Sequence, residues 1–436
     1  MRILHILQFY HPFIGGLEEY MKNLSENLSQ RGHDVTVFTS NIVSLTPLIK
    51  TKPGLEIING VRVYRFQSLF PPFSYDNGGK TLSFLSRFVG SAISNLAVLI
   101  NRLDRFYGVG KITPFFRWLT LPFMPQMLIS ILLHRDEWDL VVGSTLPWST
   151  PAIAYLVAKL TGKPLIIKPD FHVGVASYEC QSFYKIMKDA DALIVNTDYE
   201  KKELDVRGIS KKKIYVVGLG IEPERYMRAR GDDLKRRLGI DEDCFLVLYL
   251  GRREYDKGYH NVIMSMKHVW KRFSNAKLVL IGPGRSIKIR AEKALDDRCE
   301  DFLRDHEDRV IDLGVVEERE KIDALAESDI LVMPSRVESF GSVYLEAWMM
   351  KKPVVGARSG AVPNVIEDGI DGLLVDFGNE EQLAEKIITL LQDRELRERL
   401  GENGYQKTLE NYTWNVIADQ IERVYRSIEA KSVIPL

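Results

Sequence analysis

The run Pro334-Ser335-Arg336-Val337-Glu338-Ser339-Phe340-Gly341-Ser342-Val343-Tyr344-Leu345-Glu346-Ala347 concentrates the residues best suited to chemistry in this chain. It follows an apolar stretch, Asp329 to Met333, that reads as a strand, and it leads into a helical pattern. Glu338 then falls in the loop just before the helix N-terminus, and Glu346 about two turns further on. The first backbone N–H groups of a helix have no partner within it. The stretch Ser339, Phe340, Gly341, Ser342 and Val343 therefore offers donors to an anion. Carboxylates on either side can accept hydrogen bonds from hydroxyls, such as those of a sugar or ribose. A plainer role also fits, with Glu338 as a helix cap and Glu346 as an exposed helix residue, and the spacing does not decide between them.

Three further groups stand at the ends of predicted strands. Tyr249-Leu250-Gly251-Arg252-Arg253-Glu254-Tyr255-Asp256-Lys257-Gly258 carries Arg252 and Lys257, a fork and a point charge that could converge on a diphosphate. The turn Gly282-Pro283-Gly284 after the next strand adds a point where backbone can approach a ligand closely. Near the start, Pro12-Phe13-Ile14-Gly15-Gly16-Leu17-Glu18 opens a helix on a glycine pair, Gly15 and Gly16, which suits an anion at the positive end of the helix dipole and equally an ordinary strand-to-helix turn. His172, after the strand Leu165 to Lys168, is the histidine placed to face a ligand from the later strands of the first half. Asp189-Ala190-Asp191 and Asp241-Glu242-Asp243 have the spacing of a magnesium or manganese site. Both precede their strands, away from the ends where doubly wound sheets bind ligands, so no metal site is expected.

These residues need two sheets to hold them. Ile3 to Leu7, Val35 to Thr39, Val61 to Phe66, Leu140 to Gly143, Leu165 to Lys168, Ala192 to Asn196 and Ile214 to Val217 read as buried strands, with helical patterns such as Leu17 to Gln30 and Thr150 to Leu160 between them. A second series follows at Phe245 to Leu250, Leu278 to Ile281, Val310 to Leu313, Ile330 to Met333, Val354 to Val355 and Leu373 to Val375, with helices at about 258–272, 316–327, 343–351 and 379–392. Near-continuous apolar strands alternating with helices predict parallel sheets covered on both faces. The fold class is α/β, with two doubly wound Rossmann-like domains facing each other across a cleft. Gly218 to Gly239, with Gly220, Pro223 and Gly231, reads as the linker. The expected division is 1–219, 220–411 and a helical tail over 412–436 that packs back on the first domain.

At 436 residues, with 45% hydrophobic and 27% charged residues, the chain has a globular composition. Lys plus Arg and Asp plus Glu both total 59, so no overall field favours nucleic acid, and no nucleic-acid partner is expected. Three scattered cysteines, Cys180, Cys244 and Cys299, support neither a disulfide framework nor a zinc site. The apolar run at Ile3 to Leu7 is too short for a signal-peptide core, which predicts a cytoplasmic protein. Residues 80–135 break the pattern, with seven Lys or Arg, one acid (Asp104) and many Phe, Leu and Ile. Pro122, Pro125 and Gln126 interrupt its longest uncharged run, so it does not read as a spanning helix. It fits either an anionic membrane surface or an insertion packed on its own domain.

Taken together, these motifs resemble the GT-B fold glycosyltransferases of the large retaining family 4. The resemblance covers nearly the whole chain outside about 70–135. It rests on Gly15-Gly16 with Glu18, Arg31-Gly32-His33-Asp34-Val35, Gly251-Arg252 with Lys257-Gly258, and Gly314-Val315-Val316. Most specific are Glu338 and Glu346 separated by seven residues, then Pro353-Val354-Val355 and Glu367-Asp368-Gly369-Ile370-Asp371-Gly372-Leu373-Leu374-Val375. The resemblance implies that Glu338 contacts donor-sugar hydroxyls and Glu346 the ribose. It places Arg252 and Lys257 on the diphosphate, with backbone around Gly15, Gly16, Phe340 and Gly341. It puts His172 near the reacting face of the sugar and the backbone of Val315 or Val316 at the nucleobase. Transfer would retain anomeric configuration without metal or other cofactor, moving a hexose from a UDP- or GDP-linked donor to a hydroxyl on a glycan, lipid or lipid-linked acceptor. Departures from the family pattern at Leu219-Gly220, Gly360-Ala361-Val362-Pro363-Asn364 and Lys351-Lys352 leave donor identity open.

Competing classes are weaker on detail. Gly218-Leu219-Gly220 and Gly282-Pro283-Gly284 do not complete a dinucleotide fingerprint, because its third glycine would fall at Pro223 or Ile287. No Gly-x-x-x-x-Gly-Lys-Ser/Thr loop is present. Nucleotide-sugar epimerisation on the same fold, or a silent sugar-nucleotide or membrane binder, stays open at this level.

Overall fold

The computed structural model describes residues 1–13, 15–45, 48–68, 124–144, 146, 148–174, 178–227, 234–284 and 293–433. Most of the basic, apolar stretch at 80–135, up to residue 123, lies outside the described residues. The chain divides into two compact units, Met1–Gly218 with Ile417–Leu436, and Leu219–Val416.

In the first unit the strands are β1 (Arg2–Ile6), β2 (Asp34–Ser40), β3 (Ile42–Leu45), β4 (Leu48–Lys50), β5 (Gly54–Ile58), β6 (Val61–Phe66), β7 (Leu140–Ser144), β8 (Leu165–Lys168), β9 (Ala192–Val195) and β10 (Ile214–Val216). Eight of them form one sheet in the order β10-β9-β8-β7-β1-β2-β6-β5. Pairing is parallel except at the β5 edge, which runs antiparallel to β6. β3 and β4 form a separate antiparallel pair. Ile3, Leu4 and Ile6 are fully buried in β1, as a strand covered on both faces requires. His5 in the middle of that strand is tolerated because its ring is partnered. Nδ1 lies 2.8 Å from Ser25 Oγ and Nε2 3.3 Å from the Tyr425 hydroxyl. Burial lowers its pKa to about 3, so it is neutral.

The second unit carries β11 (Phe245–Leu250), β12 (Ala276–Ile281), β13 (Val310–Gly314), β14 (Ile330–Met333), β15 (Val354–Ala357) and β16 (Leu373–Val375). Their order is β13-β12-β11-β14-β15-β16, all parallel. The chain winds one way from β11 and then restarts on its other side at β14, so the switch point of this doubly wound sheet lies between β11 and β14. The loops that leave these two strands carry Lys257 and Glu338.

The stretch expected to be a plain linker is more structured than its glycines suggest. It holds helices Pro223–Met227 and Leu234–Leu238, and Ile221 bridges to Thr413 beside Trp414. The terminal helix Trp414–Val433 passes from the second unit into the first after Val416. Ile417, Ile421, Tyr425 and Ile428 are buried on one side of it. Glu422 meets His33 Nε2 at 3.2 Å and Arg31 at 3.6 Å, and Asp419 pairs with Arg31.

Candidate active site

Two loops at the switch point of the second unit are locked together. After β11, Tyr255–Lys257 makes one 3₁₀ turn, and Gly258 then starts the helix Tyr259–Arg272 in the left-handed region at φ +69°. A Cβ on Gly258 would stand 2.3 Å from the Pro334 carbonyl oxygen, so glycine is required for the loop after β11 to lie against the loop after β14. Arg336 ties the same loops by side chain. Its backbone N–H donates to the Asp256 carbonyl at 2.7 Å, and its guanidinium donates to the Asp256 carboxylate at 2.6 and 2.9 Å. The guanidinium also covers the rings of Tyr255 and Phe377, at 5.3 and 5.8 Å.

This lock brings Lys257 Nζ to 2.5 Å from Glu338 Oε1, with the side chains only 15% and 11% exposed. The lysine also approaches the Val337 carbonyl at 3.5 Å. A charge-assisted bond of this length in a shielded position fixes both heads in one place. Beyond it, helix Ser342–Met349 begins at Gly341 with no side-chain cap and no acid in its first turn. Phe340 is buried against Tyr412, ring centroids 5.2 Å apart, so its side chain belongs to the core. Ser339 is half-buried, Ser342 exposed and Val343 packed on the core.

The other predicted residues are distributed around this centre. Arg252 is 62% exposed and paired with Glu254 at 2.8 Å, apart from the Lys257–Glu338 pair. Gly282 N–H donates to the Gly314 carbonyl at 2.7 Å, and a Cβ there would stand 2.1 Å from the Gly251 carbonyl oxygen. Gly284 faces open space. Val315 is 76% exposed at the end of β13, whereas Val316 turns its side chain into the core. Glu346 is largely buried and sits 2.9 Å from Lys321 Nζ, which also meets Glu318 at 3.0 Å. Burial raises the Glu346 pKa and Lys321 opposes that rise.

In the first unit, the Gly15–Gly16 helix N-terminus is filled by the chain's own carboxylate. Glu18 folds back so that a Cβ on Gly15 would stand 2.1 Å from Glu18 Oε2. Burial, reinforced by the Asp170 carboxylate, pushes the Glu18 carboxyl up to about 7 although its own backbone N–H favours the charged form. Gly16 has open space around it. Asp170, at φ +45°, accepts from Lys168 Nζ at 2.6 Å and from Asn196 Nδ2 at 3.0 Å. Two residues on, the His172 ring meets Tyr178 edge-on with centroids 5.1 Å apart.

The two Asp-x-Asp pairs stand at the amino ends of their strands. Asp189 accepts from Tyr155 at 2.7 Å and Lys185 at 2.9 Å, and Asp191 from the Leu165 N–H at 2.8 Å. Asp241, Asp243 and Cys244 bring ligand atoms within 4.8 Å of one another in the turn before β11.

Lys321 and Arg336 escaped the reading of the sequence. Lys321 lies on a helix that the pattern predicts, but its partner Glu346 belongs to another helix 25 positions away (346 minus 321), and no local spacing links them. Arg336 stands two residues before Glu338, a proximity that could have drawn attention to it.

Comparison with known proteins agrees with this architecture. Residues 231–407 match the model of glycosyl transferases group 1, and residues 15–220 match a glycosyl transferase 4-like domain. An uncharacterized glycosyltransferase of Methanocaldococcus jannaschii is 27% identical over 434 residues, covering 98% of both chains. A D-inositol 3-phosphate glycosyltransferase of Corynebacterium jeikeium is 25% identical, covering 95% of this chain and 92% of its own. Among solved structures, Anabaena HepE in complex with UDP and glucose superposes with a TM-score of 0.70 at 18% identity, covering 98% of this chain and 100% of its own. With Lys257 and Glu338 joined at the switch point of a sheet that matches the group 1 model, the chain belongs to the group 1 glycosyltransferases and has the GT-B architecture of two Rossmann-like α/β domains.

Proposed function

We propose that the protein is a retaining glycosyltransferase that moves a hexose from a UDP- or GDP-linked donor to a hydroxyl acceptor, without a metal ion. The observation that carries this reading is the Lys257–Glu338 pair beside the uncapped helix N-terminus at Gly341. Lys257 and the helix N–H groups face the leaving diphosphate, Glu338 accepts from sugar hydroxyls, and Glu346 accepts from the ribose. Arg252 swings from Glu254 to the phosphates, and His172 of the first unit serves the donor sugar. In the reaction the bond from C1 to the phosphate oxygen breaks, and a bond from C1 to the acceptor oxygen forms on the same face. The acceptor proton passes to the departing phosphate, so no separate base is needed, and Lys257 offsets the charge that develops there. The UDP and glucose bound in HepE favour UDP as the nucleotide.

Thermal unfolding with UDP-, GDP- and ADP-sugars, each with EDTA, tests the donor assignment. A ligand at about 100 times its dissociation constant adds about 2.7 kcal/mol, enough to raise the midpoint by several degrees. A rise with UDP- or GDP-sugar in EDTA is expected. Silence with all three in a folded protein would remove the donor assignment.

The acceptor is proposed to be a lipid or lipid-linked glycan, presented at an anionic membrane through residues 80–135. Their basic and apolar composition supports this. Pro122, Pro125 and Gln126 interrupt the longest uncharged run of this stretch, so the proposed contact is with the surface; among the described residues no helix is long and apolar enough to cross a membrane. Co-flotation with anionic vesicles at low salt, and release at high salt, is the expected behaviour; failure to float at low salt would overturn it.

A further inference from the structure

Glu346 poses a physical problem that the donor assignment alone does not solve. A carboxylate receives two ribose hydroxyl donors, one cleanly on each oxygen, when it is ionised, yet this one is drawn into a helix that packs on the core. Removing a carboxylate from water favours its neutral form, and the protonated group keeps less acceptor capacity and adds a donor. Among the described residues, three charged groups act on it most. Lys321 and Glu318 come from the helix Glu318–Glu327, and Arg225 from the helix Pro223–Met227. Glu318 opposes ionisation of Glu346, and Arg225 favours it while itself paired with Glu222. Lys321 is the cation in direct contact, 2.9 Å from Glu346 and 3.0 Å from Glu318.

We propose that Lys321 is a positioning residue for the donor: it holds the Glu346 carboxylate ionised and fixed so that the carboxylate can take the nucleoside's ribose hydroxyls. This rests on the reading that Glu346 serves the ribose. Burial of Lys321 works against its charge, and the two carboxylates that flank it outweigh that cost and keep the ammonium charged. Glu318, 52% exposed, is hydrated when it releases the lysine, whereas Glu346, at 14%, is much less so. The arrangement therefore favours Glu346 as the group that depends on the lysine.

The test is calorimetric binding of UDP and of GDP to the full chain at pH 6 to 8.5, with donor KM and kcat measured alongside. Lys321→Gln is expected to weaken binding of the preferred nucleotide about tenfold at pH 7.5 and to raise donor KM by a similar factor, with kcat changed less than threefold. Without the lysine, Glu346 takes up a proton at a higher pH. The loss should deepen as pH falls towards 6, while the wild type varies little over that interval. Lys321→Arg should recover most of the affinity. Glu318→Gln leaves Lys321 to Glu346 alone and should bind at least as tightly as the wild type, a comparison that stands even if Lys321→Gln folds poorly. Wild-type affinity in Lys321→Gln, a pH-independent loss that arginine does not rescue, or weakened binding in Glu318→Gln would each overturn the role. Glu346→Gln separates the two readings. If it binds nucleotide as the wild type does, the ribose assignment is wrong and the role of Lys321 falls with it. If it is impaired while Lys321→Gln is normal, only the present inference fails.

Discussion

Lys257→Ala and Glu338→Ala are each expected to lower transfer at saturating donor by on the order of 10²–10³-fold, the cost of removing one charged group that faces a developing negative charge or fixes the reacting sugar. The expectation comes from how the pair is held. Lys257 and Glu338 meet at 2.5 Å with both side chains mostly shielded, at the end of loops fastened by Gly258 against Pro334 and by Arg336 against Asp256. Each charge keeps the other in place before substrate arrives, so deletion of either leaves its partner without a counter-charge. The double variant should therefore be less impaired than the product of the two single losses, by more than the roughly 0.5 kcal/mol expected for independent sites. Initial rates with a UDP-linked hexose, on variants whose circular dichroism matches the wild type, provide the measurement. Near-normal rates in either single variant would mean that the donor site lies elsewhere.

What the sequence reveals follows from which interactions are local. The strands of the second sheet are apolar runs set off by turns, and Phe245–Leu250, Ile330–Met333 and Leu373–Val375 fall where the pattern predicts them. The loops after them carry their chemistry in order along the chain, which makes Lys257 and Glu338 legible as candidates. Their meeting is not legible, because Lys257 and Glu338 are 81 positions apart and come together only where β11 and β14 lie side by side. The pairs Arg253–Asp312 and Lys321–Glu346 are hidden for the same reason. The edge strand β5 is not legible because it is only five residues long and Ile57-Ile58 breaks the alternation that Leu55-Glu56-Ile57 begins. The turns inside the 218–239 stretch have the opposite cause: the helices there are only five residues long, too short to show a period.

Glu18 shows how a motif can be visible while its physical state is not. The glycine pair and the acid three residues after Gly15 are plain in the sequence, and an acid in the first turn of a helix would ordinarily be stabilised in its charged form. In the fold its carboxyl is buried over Gly15 and near Asp170, and burial outweighs the favourable N–H, moving its pKa from 4.5 to about 7. A raised carboxyl pKa means that the folded state holds the proton more tightly than the unfolded state. The wild type therefore loses stability as pH rises from about 4.5 to about 7, and the loss is complete above that. Glu18→Gln keeps the shape and removes the titration. Its unfolding free energy should coincide with that of the wild type near pH 4.5 and exceed it by about 3 kcal/mol at pH 8. Urea unfolding of both proteins across this interval measures the difference directly, because the groups they share cancel. Parallel curves would show that the carboxyl is solvated and that the helix N-terminus is open. Divergence of the expected sign would mean that the buried carboxyl holds its proton more tightly in the fold, beside the helix N-terminus. A diphosphate arriving there would then draw a proton onto Glu18, and binding at pH 8 would be accompanied by net proton uptake that the glutamine variant lacks.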